Sequence, residues 1–144
     1  MNKCKLLTML IPSLLTSCTL TTKNEGRIVV NDKYAFAEEY EGDDKISEDQ
    51  TWIDKGNSSI TLFDDFTISI NITFKSGNTV NERGEYFLYV GEYGASGDGY
   101  LMLSEEKLNL TFMSKYWIAM KIWPKWDDRN PDTFRIARFI RVEK

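Results

Sequence analysis

Histidine is missing from all 144 residues. Its absence removes the commonest general base and metal ligand, and with them most nucleophile–histidine–acid hydrolases and ordinary zinc sites. Cysteine is nearly missing too: the chain has two, Cys4 and Cys18. No apolar run approaches the roughly 20 residues needed to cross a bilayer core as a helix. Cations are in the minority, 18 Lys and Arg against 22 Asp and Glu. A phosphate-backbone partner needs clustered Lys and Arg, so that balance argues against nucleic acid. It suits solubility or a cationic partner. Neither a cofactor nor a metal is implied.

The start of the chain has a pattern of its own. Lys3 and Lys5 precede an apolar run from Leu6 to Leu15, broken by Thr8, Pro12 and Ser13, which ends on Leu15, Thr16, Ser17 and Cys18. A charged start, a short apolar stretch and a small-residue end read as a secretory signal. The last four residues resemble the lipobox of bacterial lipoproteins. The resemblance implies cleavage before Cys18, a diacylglycerol on its thiol and often a further acyl group, such as palmitate, on the new amine. A single acyl chain holds a protein only transiently, and two or three hold it firmly. The alternative is an ordinary signal peptide that releases a soluble protein. With Cys4 lost in the leader, the exported part keeps one cysteine and forms no internal disulfide. Thr19 follows Cys18, where inner-membrane retention in Gram-negative lipoproteins usually has Asp, so the resemblance implies the outer membrane. The expected organisation is a leader over 1–17, a polar tether over 18–26 and one domain over 27–144. Losing Lys3 and Lys5 moves the formal charge from −4 to −6.

The domain reads as all-β. Phe66 to Phe74 alternates strictly, with Phe66, Ile68, Ile70, Ile72 and Phe74 on one face and Thr67, Ser69, Asn71 and Thr73 on the other. That is the mark of a half-buried strand. Leu108, Leu110 and Phe112 repeat it. Further strands are expected at Arg27–Val30, Thr51–Asp54, Ser59–Phe63, Gly84–Val90, Gly99–Leu103, Lys107–Met113, Tyr116–Trp123 and Thr133–Val142, rich in β-branched and aromatic residues. Lys33–Tyr40 fits a strand or a helical turn, and the acidic stretch Glu41–Gln50 a solvated loop. Short consecutive strands predict an antiparallel meander of about eight strands, closed as a barrel or folded as a sandwich.

Trp52, the stretch Ser59 to Thr67 with Asp64 and Asp65 at its turn, Gly84-Glu-Tyr86, Leu108-Asn-Leu110 and the ending Phe139 to Lys144 come in an order that resembles small bacterial lipocalin-like (calycin-like) lipoproteins. That family implies a barrel around a core or a small cavity. Phe66 to Ile72, Gly99 to Leu103 and Trp117 to Met120 resemble instead concanavalin-type, laminin-G-like jelly rolls, a β-sandwich alternative.

The most site-like cluster is Trp123, Trp126, Asp127 and Asp128, beside Tyr116, Trp117 and Arg129. Exposed tryptophans beside carboxylates suit sugar stacking or a protein hot spot. Against that, Trp117 and Trp123 share strand parity and are expected to pack inward, with Trp126 capping one end or standing free in its loop. Asp128, Asn130 and Asp132 have the opening of a calcium loop but lack its glycine and its closing carboxylate, so a hairpin loop is expected. Gly91–Gly99 is expected as a loop, not a phosphate cradle, because no helix follows it. Asn57, Asn71 and Asn109 head glycosylation sequons that matter only in a eukaryotic or viral source.

These features predict a lipid-anchored envelope lipoprotein with a non-enzymatic β domain. Its partners would be the membrane through Cys18, together with a small apolar ligand, a glycan or a protein. The alternatives are a carbohydrate-binding jelly roll and an inhibitor or immunity lipoprotein acting on a cationic protein.

Overall fold

Strict alternation from Ile68 to Ile72 produces the strand it predicts, and each of these isoleucines is buried. The computed structural model describes residues 26–91 and 96–144. The expected leader, Cys18 and the tether up to Glu25 lie outside the described residues. Nine strands run in chain order: β1 (Asp32–Glu41), β2 (Asp44–Lys45), β3 (Ser59–Leu62), β4 (Thr67–Thr73), β5 (Thr79–Leu88), β6 (Ser96–Leu103), β7 (Glu106–Met113), β8 (Trp117–Ile122) and β9 (Arg135–Arg141). Each of the strands from β3 onward pairs antiparallel with the next, and β9 returns to pair with β1. β1 also pairs with β3, so eight strands close into an up-and-down barrel; β2 is a two-residue hairpin arm on β1. This is the lipocalin-like barrel architecture and not the sandwich.

Two expected strands are corrected, and one ambiguous segment is settled. Arg27–Val30 contributes only one bridge, Arg27 to Tyr89, because its other backbone groups bond across the barrel end. Thr51–Asp54 is an irregular segment between two short 3-10 turns, with Ile53 alone bridged to Phe74. Lys33–Tyr40 is strand throughout. Phe66 has φ 66° and belongs to the β3–β4 turn, so its ring leaves the row that Ile68 begins. β5 starts at Thr79, five residues before the expected Gly84. Its inward positions there are Glu82 and Gly84, which hide the apolar alternation. β6 begins at Ser96, so Gly97 and Gly99 are strand residues and only 91–95 of the expected glycine-rich loop remain, of which 92–95 lie outside the described residues. A Cβ at Gly97 would stand 2.0 Å from the Tyr89 carbonyl oxygen and 2.4 Å from the Phe112 ring, so only glycine lets the strands approach there.

The bore is filled. Ile60, Leu62, Ile68, Ile70, Tyr86, Leu88, Leu101, Ile118, Ile122, Ala137 and Phe139 have no accessible surface, and the other inward apolar residues, among them Leu103, Leu110, Phe112 and Met120, keep only a few per cent. Among the described residues the interior is therefore packed side chain against side chain, as a small barrel allows.

Its two ends differ. The chain enters at one, the entry end, with the β3–β4, β5–β6 and β7–β8 turns and residues 142–144. The far end carries the connections 42–58, 74–78, 104–105 and 123–134. Residues 27–31 cross the entry end from β5 to β1. The Ile28 amide donates to the Leu88 carbonyl at 2.8 Å and the Val30 amide to the Tyr86 hydroxyl at 2.9 Å. That hydroxyl has the carbonyls of Phe63, at 2.7 Å, and Val30, at 2.9 Å, as acceptors.

Tyr34 is buried beside this crossing, and its hydroxyl donates to the Lys115 carbonyl at 3.2 Å. Burial, helped by Asp32 and opposed by Arg141, pushes its hydroxyl pKa from 10.0 up to about 12. Burial raises Tyr86 as well. Stability linked to a raised pKa is complete below pH 10 and is lost as pH climbs toward 12, because the unfolded chain ionises first. At about 1.4 kcal/mol per unit, Tyr34 alone accounts for a loss of about 2–3 kcal/mol across that window. Denaturant melts of Tyr34→Phe from pH 9 to pH 12 should show a shallower alkaline decline than wild type; an identical decline would refute the assignment.

Candidate functional site

β8 and β9 are joined at the far end by residues 123–134, and these bring the predicted cluster together. Trp123 follows the last residue of β8, so strand parity no longer governs it. It turns inward, 4% exposed, and its indole N–H donates to the Asn130 carbonyl at 2.9 Å. Trp126 is 6% exposed and meets Trp123 edge to face, ring centroids 6.1 Å apart. Its own Nε1 is buried without a hydrogen-bond partner. Together the two rings cap the far end. Trp117 is corrected: it begins β8 on the outward face, partly exposed, with the Arg138 guanidinium 4.7 Å from its ring centre. Parity was sound within β8, but Ile118, Met120 and Ile122 hold the inward positions.

Asp127 and Asp128 are exposed at the tip of the same connection. They border an open groove of about 500 Å³ with Phe74, Asn78, Val80, Lys125 and Trp126 along it. The connection is fastened from below. Arg129 pairs with Glu106 at 2.6 Å and with Glu82 at 3.8 Å, and lies 4.9 Å from the Trp126 ring centre. The Asp128 amide donates to the Lys125 carbonyl, and the Asn130 side chain accepts from the Asp132 amide at 2.9 Å. Asn130 thus closes a turn of its own. Among the described residues no group of three or more His, Cys, Asp or Glu converges to hold a metal. What this end offers chemically is fixed surface charge.

Sequence reasoning missed the residue that organises the far end. Glu39 has no accessible surface. Its carboxylate accepts from the Trp52 amide at 2.9 Å and the Ile53 amide at 2.7 Å, and pairs with Arg135 at 3.0 Å. Arg135 also donates to the Gln50 carbonyl and lies 4.1 Å above the Trp52 ring. A bulge between Phe36 and Glu38 changes the parity of β1, which is why Phe36 and Glu39 both point inward. Nothing in the run Ala35 to Tyr40 signals that bulge. Glu38 faces outward, where hydrogen bonds from Lys45 and then Tyr40 hold its carboxyl below the ordinary value.

A second groove, about 440 Å³, opens on the outer surface between β1, the β2 arm and β9, with Ala35, Ala37 and Ile140 on its floor and Lys45 and Lys55 at its rim. No family model, curated protein or solved structure matches the chain.

Glu39→Gln should destabilise the protein by about 3 kcal/mol or more, since it leaves Arg135 without its buried counter-charge. Urea unfolding measures this. A change below about 0.5 kcal/mol, the range of ordinary surface substitutions, would show that Glu39 does not organise this end.

Proposed function

We propose that the chain is an exported lipoprotein, held to the cell envelope through acyl chains on Cys18, whose barrel is a non-enzymatic binding module. Thr19 after Cys18 favours the outer membrane. The observation that carries the binding reading is the filled bore: with its interior occupied by its own side chains, the barrel meets a partner with its surface and its loops. The far-end connections supply a fixed surface. They carry an excess of carboxylates, with Asp43, Asp44, Glu48, Asp49 and Asp54 against Lys45 and Lys55 in the first alone. This favours a cationic protein as the partner, the inhibitor or immunity type of lipoprotein, over a small apolar ligand. It also favours a protein over a glycan, because Trp123 and Trp126 are buried and present no open stacking face.

Two measurements test this. Cys18→Ser should abolish labelling by radioactive palmitate and move the protein out of the membrane fraction; labelling and retention that survive the change defeat the anchor. Separately, partners captured by the acylated protein should be basic and should dissociate as salt rises from 50 to 500 mM, with Asp127→Asn/Asp128→Asn weakening binding about tenfold, roughly the effect expected for interface charges. Binding insensitive to salt and to both aspartates would reject the acidic-surface reading.

A further inference from the structure

Among the described residues, large exposed apolar side chains gather at one end of this barrel. Met113, Trp117 and Ile140 are consecutive register partners on the outer face of β7, β8 and β9, and Ala35 of β1 continues their row. Met113 and Ile140 are each close to half exposed. Tyr116, in the β7–β8 turn, and Val142, just past β9, extend the patch to the rim. Val29, Tyr89 and Val90 stand exposed on the same end, across from it. Among the described residues every exposed large apolar side chain belongs to the entry end.

Charge divides in the same direction. On the described connections of the entry end, Arg27, Lys115 and Lys144 match Asp64, Asp65 and Glu143. The far end carries the carboxylate excess. An anionic lipid surface repels the far end and leaves the entry end free to approach. Tyr116 and Trp117 lie near Arg141 and Arg138, the pairing of amphipathic rings with cations that suits the headgroup layer.

The chain before Gly26 says what meets this rim. Gly26 leaves at the entry end, and eight residues from Cys18 span at most roughly 30 Å when fully extended. An acyl chain on Cys18 therefore keeps the entry end within roughly 30 Å of the bilayer and makes it the part of the barrel tied to the lipid surface. We propose that the apolar rim around Tyr116, Trp117 and Val142 seats on the lipid surface and points the acidic far end away from it. This rests on the anchored reading above. It makes the anchor two-part: acyl chains in the hydrocarbon and an apolar rim in the interface.

The tryptophans make this measurable, because Trp117 is at the entry end whereas Trp52, Trp123 and Trp126 are at the far end. Acylated protein is reconstituted into phosphatidylethanolamine–phosphatidylglycerol vesicles, with and without bromine on the acyl chains, and its emission recorded. Brominated lipid should quench the wild type, and Trp117→Phe should abolish most of that quenching. Tyr116→Asp/Val142→Asp, both at exposed positions, should cut the quenched fraction at least threefold while the protein still floats with the vesicles. A wild type that floats yet shows equal emission in both lipids stands off the bilayer, and the proposal falls while the anchor survives. A wild type without an acyl chain overturns both. Exported Cys18→Ser should sediment as a monomer; a dimer dissolved by Tyr116→Asp/Val142→Asp would give the rim to a second copy instead.

Discussion

One buried carboxylate holds the far end of the barrel together. Taking an ion out of water costs several kcal/mol, and a buried charge persists only when partners surround it. Glu39 has three: two backbone amides and Arg135. The amides belong to Trp52 and Ile53, so the charge pins an otherwise irregular segment over the barrel mouth. Ile53 then completes the core from above, with no accessible surface. Arg135 begins β9, so the same interaction also fixes where the last strand starts. A one-residue bulge in β1 makes all of this possible.

The strands legible in the sequence were those whose two faces differ in chemistry. Ile68 to Ile72 and Leu108 to Phe112 announced themselves because inward residues are apolar and outward ones polar. The front of β5 did not, since Glu82 occupies an inward position against Arg129, and Gly84 lies where a Cβ would stand 2.2 Å from the Met102 carbonyl oxygen. Gly97 and Gly99 read as loop for the same reason: close backbone approach calls for glycine, and glycine looks like a turn. At the candidate site, the clustering of Trp123, Trp126, Asp127 and Asp128 was visible. Their division into buried rings and exposed acids was not, because it depends on Trp123 lying one residue beyond β8. Glu39 was invisible because its partner Arg135 is 96 residues away.

Many of the aromatics outside the core carry a cation over one ring face, at both ends and along the wall. Arg27 lies between Phe66 and Phe87, at 3.8 and 4.0 Å from their centres, and Phe87 stacks on Tyr100, which Lys107 covers in turn. Arg135 covers Trp52, and Lys121 covers Phe134. Cations laid over ring faces keep aromatic surface from acting as open apolar area. The barrel wall is thus masked, one end is acidic, and apolar exposure is concentrated where the chain enters. With a solid bore, this division of the surface is the main functional asymmetry the domain possesses.

The seam between β1 and β9 carries a kinetic consequence. Glu38 and Arg138 meet across it 100 residues apart in the chain. The pairings from β3 to β9 join consecutive strands, β1–β3 closes over residues 42–58 and the Arg27–Tyr89 bridge over residues 28–88, whereas β1–β9 waits for the last strand and bears the largest closure entropy. A chain made N-terminus first therefore presents one edge of β1 unpaired until β9 is complete. That edge is where a chaperone, or β9 of another copy, competes with the native closure.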